Sequence, residues 1–216
     1  MELRTRHAAI YPGGSVTEKT AIIDFDDLCD GNDPYDSIVH LHDRDPNFRV
    51  TLFAIPTRCS DSLLAKYAAI SDWCGLGVHG WRHSRHECLG WTSEETADKL
   101  TKAMGIYDGF LPVFKAPNWE VDLEVYKGCA ASGFAIADHI RNIEIMPQAQ
   151  DNYIYNLRLR EDTFTRLHGH IQPWAGTGLT EGEELVDGIN PAYVLPLGTK
   201  YGFVTEAVRA DKGVSL

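Results

Sequence analysis

The chain has 216 residues, a length that favours one domain over residues 1–216 rather than two small ones. Hydrophobic residues make up 44% and charged residues 24%, which is the balance of a folded globular protein and excludes disordered, collagen-like and coiled-coil chains. Acidic residues outnumber basic ones by 31 to 20, giving a net charge of −11. That sign repels phosphate backbones and anionic lipids, so no nucleic-acid or membrane partner is expected.

The sequence contains no run of 18 apolar residues, and its first residues lack the apolar core of a signal peptide. We therefore expect a cytoplasmic protein. The cysteines are odd in number and form no C-x-x-C pair, which predicts reduced thiols rather than a disulfide framework or a zinc ribbon. They are Cys29, Cys59, Cys74, Cys88 and Cys129.

Short apolar runs alternate with amphipathic stretches along the chain, the pattern of an α/β domain. Strands are predicted at 20–25, 50–55, 76–79, 113–116, 134–137, 163–168 and 193–197. Helices are predicted at 60–74, from Thr92 onward, and at 123–132. The segment 92–95 (TSEE) is a capping box, and Gly133 is the expected stop of the last helix.

The first strand ends in three carboxylates within four positions, Asp24, Asp26 and Asp27. Carboxylates this close repel one another and raise each other's pKa values unless a cation or a basic group lies between them. Functional groups of α/β proteins lie at the carboxyl ends of strands. The segment therefore predicts a functional site, with a helix N-cap or solvated turn as the alternative.

Two histidine pairs follow other predicted strands. His79 and His83 are separated by three residues, so a helical turn or a tight loop brings both imidazoles to one point. Two imidazoles and one carboxylate make a three-ligand metal set with open positions for water or substrate. His168 and His170 are two apart and share one face of an extended strand, although surface histidines would show the same spacing.

Four segments resemble the motifs of the polysaccharide deacetylase family, the NodB-homology or carbohydrate esterase 4 enzymes. Segment 25–27 (FDD) resembles the family's T-F-D-D-G, and segment 79–84 (HGWRHS) resembles H-T-W-S-H-P. Segment 114–119 (FKAPNW) is similar to F-R-P-P-Y, and segment 167–168 (LH) to the late L-L-H. The capping box lies where the family has S-P-E-E. The resemblance spans about residues 20 to 170.

The resemblance implies a distorted (β/α) barrel of the NodB-homology type that holds one divalent metal ion. Zinc is the expected ion, and Co²⁺, Ni²⁺ or Fe²⁺ would fit. By the family's motifs, Asp27, His79 and His83 bind the metal, Asp26 is the base, and His168 protonates the leaving amine. The implied activity is hydrolysis of an acyl group, N-acetyl above all, on an amino sugar or related acylated amine.

The same resemblance assigns the remaining candidates. Lys115 stands where the family has an arginine that pairs with the base, and a backbone N–H in the Asn118-Trp119 turn would hold the oxyanion. Trp119, Asn118, Trp81 and His170 are the candidate substrate-binding residues.

The chain also departs from the family pattern. Leu28 replaces the glycine after the paired aspartates, and Asp24 replaces a small or hydroxyl residue. The family's Asp-Trp motif, which orients the acid histidine, has only Asp138 as a candidate.

Three other functions fit parts of the pattern. In a haloacid dehalogenase-type phosphatase, Asp24 would be the nucleophile and Asp26 the acid. In a non-heme Fe(II) oxygenase, the two histidines and Asp27 would bind iron. A non-catalytic carbohydrate-binding domain could use tryptophans for stacking, but the joint presence of Asp26 and His168 favours an enzyme.

Overall fold

A computed structural model describes residues 20–138, 142, 154–156, 164–171 and 199–206, with the backbone alone for 154–156 and 164–167. Eight strands and four helices lie along these residues, and strands alternate with helices as far as residue 138. The strands are β1 (Thr20–Leu28), β2 (Val50–Ala54), β3 (Cys74–His79), β4 (Val113–Lys115), β5 (Ala135–Asp138), β6 (Ile154–Asn156), β7 (Phe164–His170) and β8 (Lys200–Gly202). The helices are α1 (Tyr35–Arg44), α2 (Asp61–Ala68), α3 (Ser93–Ile106) and α4 (Leu123–Ala131).

The strands form one parallel sheet in the order β6-β5-β4-β3-β2-β1-β7, and β8 runs beside the start of β1. This curled sheet with helices packed on it is the distorted (β/α) barrel that the sequence led us to expect. All its carboxyl ends meet at one edge because the strands are parallel. That edge is where β1, β3, β4 and β7 deliver the candidate site residues.

Most of the predicted elements are confirmed, with shifted ends. The predicted helix 60–74 is wrong in its second half, since α2 ends at Ala68 and Cys74 already begins β3. Hydrogen bonds from Ile70 N to Tyr67 O and from Cys74 N to Ile70 O turn the chain back towards the sheet. The helix α1 and the short strands β6 and β8 were not predicted. The predicted strand 193–197 lies outside the described residues.

Side chains cap the starts of α3 and α4. Thr92 Oγ1 accepts a hydrogen bond from Glu95 N at 3.1 Å at the start of α3, which confirms the predicted capping position. Asp122 accepts from two backbone N–H groups at the start of α4. Gly133 follows the end of α4 with a φ of 72°, a left-handed conformation that glycine adopts without strain.

The two faces of the sheet bury different side chains. One face packs on the helices: Ile23 and Phe25 of β1 contact a large core that includes Leu64, Leu100 and Tyr126. The other face encloses a small apolar cluster at the centre of the curled sheet, made of Ile22, Phe53, Val113, Ala135, Ala137 and Val204. We call this second side the inner face.

The inner face is narrow. A Cβ atom on Gly77 of β3 would lie 2.7 Å from the ring of Phe53, so only glycine fits there. Along β1 the inner face continues from Ile22 to Asp24 and Asp26, because alternate residues of a strand point the same way. The inner face is therefore apolar at its centre and carries carboxylates near the carboxyl ends of the strands.

The cysteine and membrane expectations can be compared with the structure. All five cysteines lie among the described residues, none of them forms a disulfide, and four of them are buried. Among the helices that the structure describes, none has the length and apolarity needed to cross a bilayer; the longest, α3, has 14 residues.

The close packing of α3 on α4 yields a stability prediction. A Cβ on Gly128 would lie 2.6 Å from Ser93 O and against Thr96, so Gly128→Ala should destabilise the fold by about 1–3 kcal/mol through overpacking. Gly105→Ala is the matched control, because Gly105 in α3 has open space around its Cβ position. It should stabilise by up to about 1 kcal/mol through helix propensity. Urea unfolding measures both, and a neutral Gly128→Ala would contradict the described helix contact.

Candidate active site

The end of β1 carries a β-bulge. Its pairing with β2 shifts register between Phe25 and Leu28, and Asp27 has a φ of 77°. Strict alternation would point Asp26 and Asp27 to opposite faces of the sheet. The bulge turns Asp27 so that both carboxylates face the same cavity, which is a common use of bulges at functional sites. Asn32 Nδ2 donates a hydrogen bond of 2.7 Å to Asp27 O and fixes this bend.

Asp27 meets the two histidines of the first pair. Its Oδ1 lies 3.4 Å from His79 Nε2 and 2.8 Å from His83 Nε2, and the possible ligand atoms of all three residues lie within 4.8 Å of one another. Burial alone would raise the pKa of Asp27, but the nearby imidazoles of His79 and His83 hold it well below its usual range. The hydrogen bond to Asp27 in turn raises the pKa of His83. The structure thus brings together the three residues predicted to bind a metal.

A backbone carbonyl fixes the orientation of the His79 ring. Its Nδ1 lies 3.0 Å from Lys115 O, and since a carbonyl can only accept, Nδ1 carries the hydrogen. In the neutral ring the lone pair is then on Nε2, the nitrogen that faces Asp27. A second hydrogen bond of this kind fixes the ring of metal-binding histidines in general.

The loop that carries His83 is held by Glu87, a residue that the sequence analysis did not single out. The Glu87 carboxylate accepts hydrogen bonds from three consecutive backbone N–H groups, those of Trp81 at 3.1 Å, Arg82 at 2.6 Å and His83 at 2.9 Å. His83 has a φ of 58°, a strained value for a residue with a side chain. The one sequence signal for Glu87 is that it is the only acidic residue in the segment 79–88.

Lys115 is completely buried on the inner face. Its Nζ donates to Asp24 Oδ2 and, at 2.9 Å, to Asp26 Oδ1, and it lies 4.2 Å from the ring centroid of Phe53 and 4.9 Å from that of Trp119. Burial alone would lower the pKa of Lys115, but the two carboxylates outweigh burial and raise it. The side chain therefore stays an ammonium ion between the two carboxylates.

His168 lies across from Asp24 in the pairing of β1 with β7. Its Nδ1 is 2.9 Å from Asp24 Oδ2, and its Nε2 is 3.7 Å from Asp26 Oδ2. Burial raises the pKa of Asp24, but Lys115 and His168 together hold it well below the usual range. Asp24, which stands where the resembling family motif has a small or hydroxyl residue, thus lies at the centre of the site.

His170 lies in the same strand as His168. The ring centroids of the two histidines are 5.2 Å apart, which confirms that they share a face. The strand β7 continues past Gly169 through His170, and Ile171 N donates to Asp26 O at 3.1 Å. Asp26, His168 and His170 form a second group whose possible ligand atoms lie within 4.8 Å of one another.

The remaining predicted residues are spread around the site. The ring of Trp119 meets that of His168 edge-on at 5.2 Å, while Asn118 is exposed and has a φ of 56°. Trp119 N donates to Ala116 O at 3.2 Å, so in the Asn118-Trp119 turn the donor left for an oxyanion is Asn118 N–H. Trp81 is half-buried and packs against the large core on the helix side of the sheet.

Asp138 lies on the helix side of the sheet. Its carboxylate accepts hydrogen bonds from Tyr126 and, at 2.9 Å, from Asn142, and burial is the main cause of the raised pKa of Tyr126. The carboxylate within hydrogen-bond distance of His168 Nδ1 is that of Asp24, at 2.9 Å.

The phosphatase alternative does not fit this geometry. Its nucleophile would be Asp24, but that carboxylate is completely buried, and Lys115 and His168 both contact its Oδ2. The strand also continues beyond Asp24 to Leu28, so the carboxylate does not lie at a strand end.

No protein-family model and no curated protein sequence matches the chain. Solved structures do match. A family 4 acetyl xylan esterase from Clostridium thermocellum, in complex with a cobalt ion, has a TM-score of 0.59 at 16% identity, covering 91% of this chain and 93% of that one. The chitin deacetylase of the fungal pathogen Colletotrichum lindemuthianum has a TM-score of 0.55 at 14% identity, with 88% of each chain covered.

A CE4 family pseudoenzyme from Bacillus anthracis also matches, with a TM-score of 0.56 at 16% identity over 89% of this chain and 66% of that one. At such identities the likeness shows a common fold. The chain therefore has the fold of these carbohydrate esterase 4 structures, a fold found in both enzymes and a pseudoenzyme.

Proposed function

We propose that the chain is a metal-dependent hydrolase that removes an acyl group, most readily N-acetyl, from an amino sugar or related acylated amine. The observation that carries this proposal is the juxtaposition of the Asp27, His79 and His83 group with Asp26 and His168. His79 Nε2 lies 4.0 Å from Asp26 Oδ2, which in turn lies 3.7 Å from His168 Nε2. A metal ligand, a base and an acid therefore surround one small volume.

The charges of the site support a single divalent ion. Asp24, Asp26 and Asp27 are buried and carry three negative charges, and Lys115 supplies one positive charge. Two negative charges remain, and buried charges are costly unless they are compensated. One divalent cation compensates both, whereas a second one beside His168 and His170 would leave an excess of positive charge near Lys115.

The donor atoms favour zinc. Two imidazole nitrogens and one carboxylate oxygen suit Zn²⁺ with an open position, and Co²⁺, Ni²⁺ or Fe²⁺ accept the same set. When bound, such an ion acts as a Lewis acid that makes water more acidic and polarises the acyl oxygen.

The protein groups would divide the proton transfers between them. Lys115 holds Oδ1 of Asp26, so Oδ2 is the atom that faces the ligand group and would take the proton of the attacking water. His168 Nε2 would give a proton to the leaving nitrogen. The N–H of Asn118 would donate to the developing oxyanion.

The choice of an acylated amine rests on His168 and on the neighbours in structure. An amide nitrogen must be protonated before it leaves, and an acid beside the base meets that need. The xylan esterase and the chitin deacetylase are named for acetylated carbohydrates, and Trp119 offers an aromatic surface at the site on which a sugar ring could pack.

Acetate release tests the activity. The zinc-loaded chain should release acetate from oligomers of N-acetylglucosamine or another N-acetylated sugar. Asp26→Asn should lower turnover by about 10²–10⁴-fold, since the amide cannot accept the proton, while metal content stays unchanged. Sugar binding without acetate release would instead indicate a binding domain, and phosphate release from an aryl phosphate would indicate a phosphatase.

Metal content tests the ligand assignment. The wild-type chain should bind one Zn²⁺, and Ala at position 27, 79 or 83 should strongly lower occupancy because each variant removes one of three ligands. His170→Ala, which changes the second group, should keep one ion bound. Elemental analysis after gel filtration measures this, and full occupancy in all three ligand variants would refute the assignment.

The buried ammonium predicts that the free energy of unfolding of a Lys115→Met variant depends on pH differently from that of the wild type. In the metal-free wild type, the depressed pKa of Asp24 contributes stability that is fully present above its unfolded pKa of about 3.9 and is lost as the pH falls below that value towards the lower folded pKa. Lys115→Met leaves two buried carboxylates uncompensated and should cost about 3–5 kcal/mol at pH 7.

Because the Lys115 ammonium is among the groups that lower the pKa of Asp24, its loss lets Asp24 gain a proton at higher pH, and the deficit of Lys115→Met relative to wild type should shrink towards pH 4. Urea unfolding at several pH values measures it, with Lys115→Arg as the charge-preserving control. Equal pH slopes in wild type and Lys115→Met would show that the ammonium does not compensate the carboxylates.

A further inference from the structure

Asp24 has no part in the chemistry assigned above, yet its position is costly. It is completely buried on the inner face, and a buried carboxylate is tolerated only where its contacts compensate for lost hydration. Lys115 alone could neutralise Asp26. The presence of a second carboxylate on the same ammonium therefore calls for a role.

The contacts of His168 indicate what that role is. Its Nδ1 lies 2.9 Å from Asp24 Oδ2 and 3.2 Å from Lys115 Nζ. If Nδ1 accepted a hydrogen from Lys115, its lone pair would face the lone pairs of Asp24 Oδ2 at 2.9 Å. If Nδ1 instead carries the hydrogen, it makes a short charge-assisted hydrogen bond to Asp24. The second arrangement is the favourable one, and it defines the tautomer.

The tautomer determines what the other nitrogen can do. With the hydrogen on Nδ1, the neutral ring has its lone pair on Nε2, and a proton taken up there can be donated again. Nε2 is buried, has no hydrogen-bond partner among the residues that the structure describes, and faces Asp26 Oδ2 at 3.7 Å. It is therefore the nitrogen presented to the reacting groups.

The sheet explains how Asp24 reaches this position. The parallel register of β1 and β7 sets Asp24 opposite His168, and both side chains lie on the inner face. Asp138, the candidate suggested by sequence, is occupied on the other side by Tyr126 and Asn142.

We propose that Asp24 is the positioning residue of His168: it holds Nδ1–H and so presents Nε2 to the leaving nitrogen. The inference rests on the proposed function for its kinetic consequence, but the tautomer itself can be observed without turnover. Lys115 then links the two halves of the site, because its Nζ contacts both Asp24 and the base Asp26.

The direct test is the nitrogen NMR spectrum of His168 in the zinc-loaded chain. The wild type should show the hydrogen on Nδ1. Asp24→Asn keeps the shape of the side chain but can donate to Nδ1, so the hydrogen should move to Nε2. The matched control is Asp138→Asn, the same change at an equally buried carboxylate, and it should leave the His168 signals in the wild-type pattern. A wild-type tautomer in Asp24→Asn overturns the inference.

The kinetic test compares two leaving groups. Asp24→Asn should lower kcat for the N-acetyl sugar by about 10²–10⁴-fold, with little change in KM, as expected for a damaged general acid. It should spare most of the activity on 4-nitrophenyl acetate, because a nitrophenolate leaves without a proton. The double variant Asp24→Asn/His168→Ala should be no slower on the amide than His168→Ala. Equal losses on amide and ester would mean that Asp24 serves only the ion pair, and would overturn the inference.

The failure of the proposed function would look different. If His168→Ala keeps amide hydrolysis and His170→Ala selectively loses it, the acid assignment of His168 is wrong and the kinetic role of Asp24 is wrong with it. If the wild-type chain releases no acetate at all, the proposed function fails, while the NMR comparison still decides whether Asp24 sets the tautomer.

Discussion

The buried ammonium of Lys115 is the contact on which the inner face of this sheet depends. Two carboxylates of one strand, Asp24 and Asp26, point into the same low-dielectric space, where their mutual repulsion is costly without a cation between them. Lys115 contacts both, and the carboxylates raise its own pKa in return. A lysine ammonium is a compact charge with three donors, so it can contact several oxygens at once. Here it contacts one oxygen of each carboxylate.

That central contact divides the site into two parts with different chemistry. Towards β3, the free oxygen of Asp26 faces His79 and the ligand group that includes Asp27. Towards β7, Asp24 holds Nδ1 of His168. The proposed base Asp26 and the proposed acid His168 therefore lie on either side of one positive charge, each oriented by a different contact. The curvature of the parallel sheet makes this possible, because it brings the carboxyl ends of four strands around one cavity.

Two residues of the proposed ligand group, Asp27 and His83, have a strained backbone. Asp27 and His83 both have positive φ values, which cost about 1–3 kcal/mol each in residues with side chains. Asn32 bonded to Asp27 O, and Glu87 bonded to three N–H groups of the His83 loop, hold these conformations. Strain of this kind persists where surrounding hydrogen bonds over-determine the backbone, and here it turns two side chains towards each other.

The sequence by itself determined the α/β class, the helix cap at Thr92 and the ligand-type residues, because periodicity, capping and spacing are local properties that amino-acid type controls. It did not determine the role of Asp24, the three hydrogen bonds of Glu87 or the end of α2. Alternation along β1 would even have separated Asp26 from Asp27, and only the bulge in the pairing with β2 turns both into one cavity. These features depend on register, bulges and contacts between residues up to 144 positions apart, as in the pair of Asp24 with His168. Such contacts form only when the whole sheet is assembled, so only the tertiary structure could decide them.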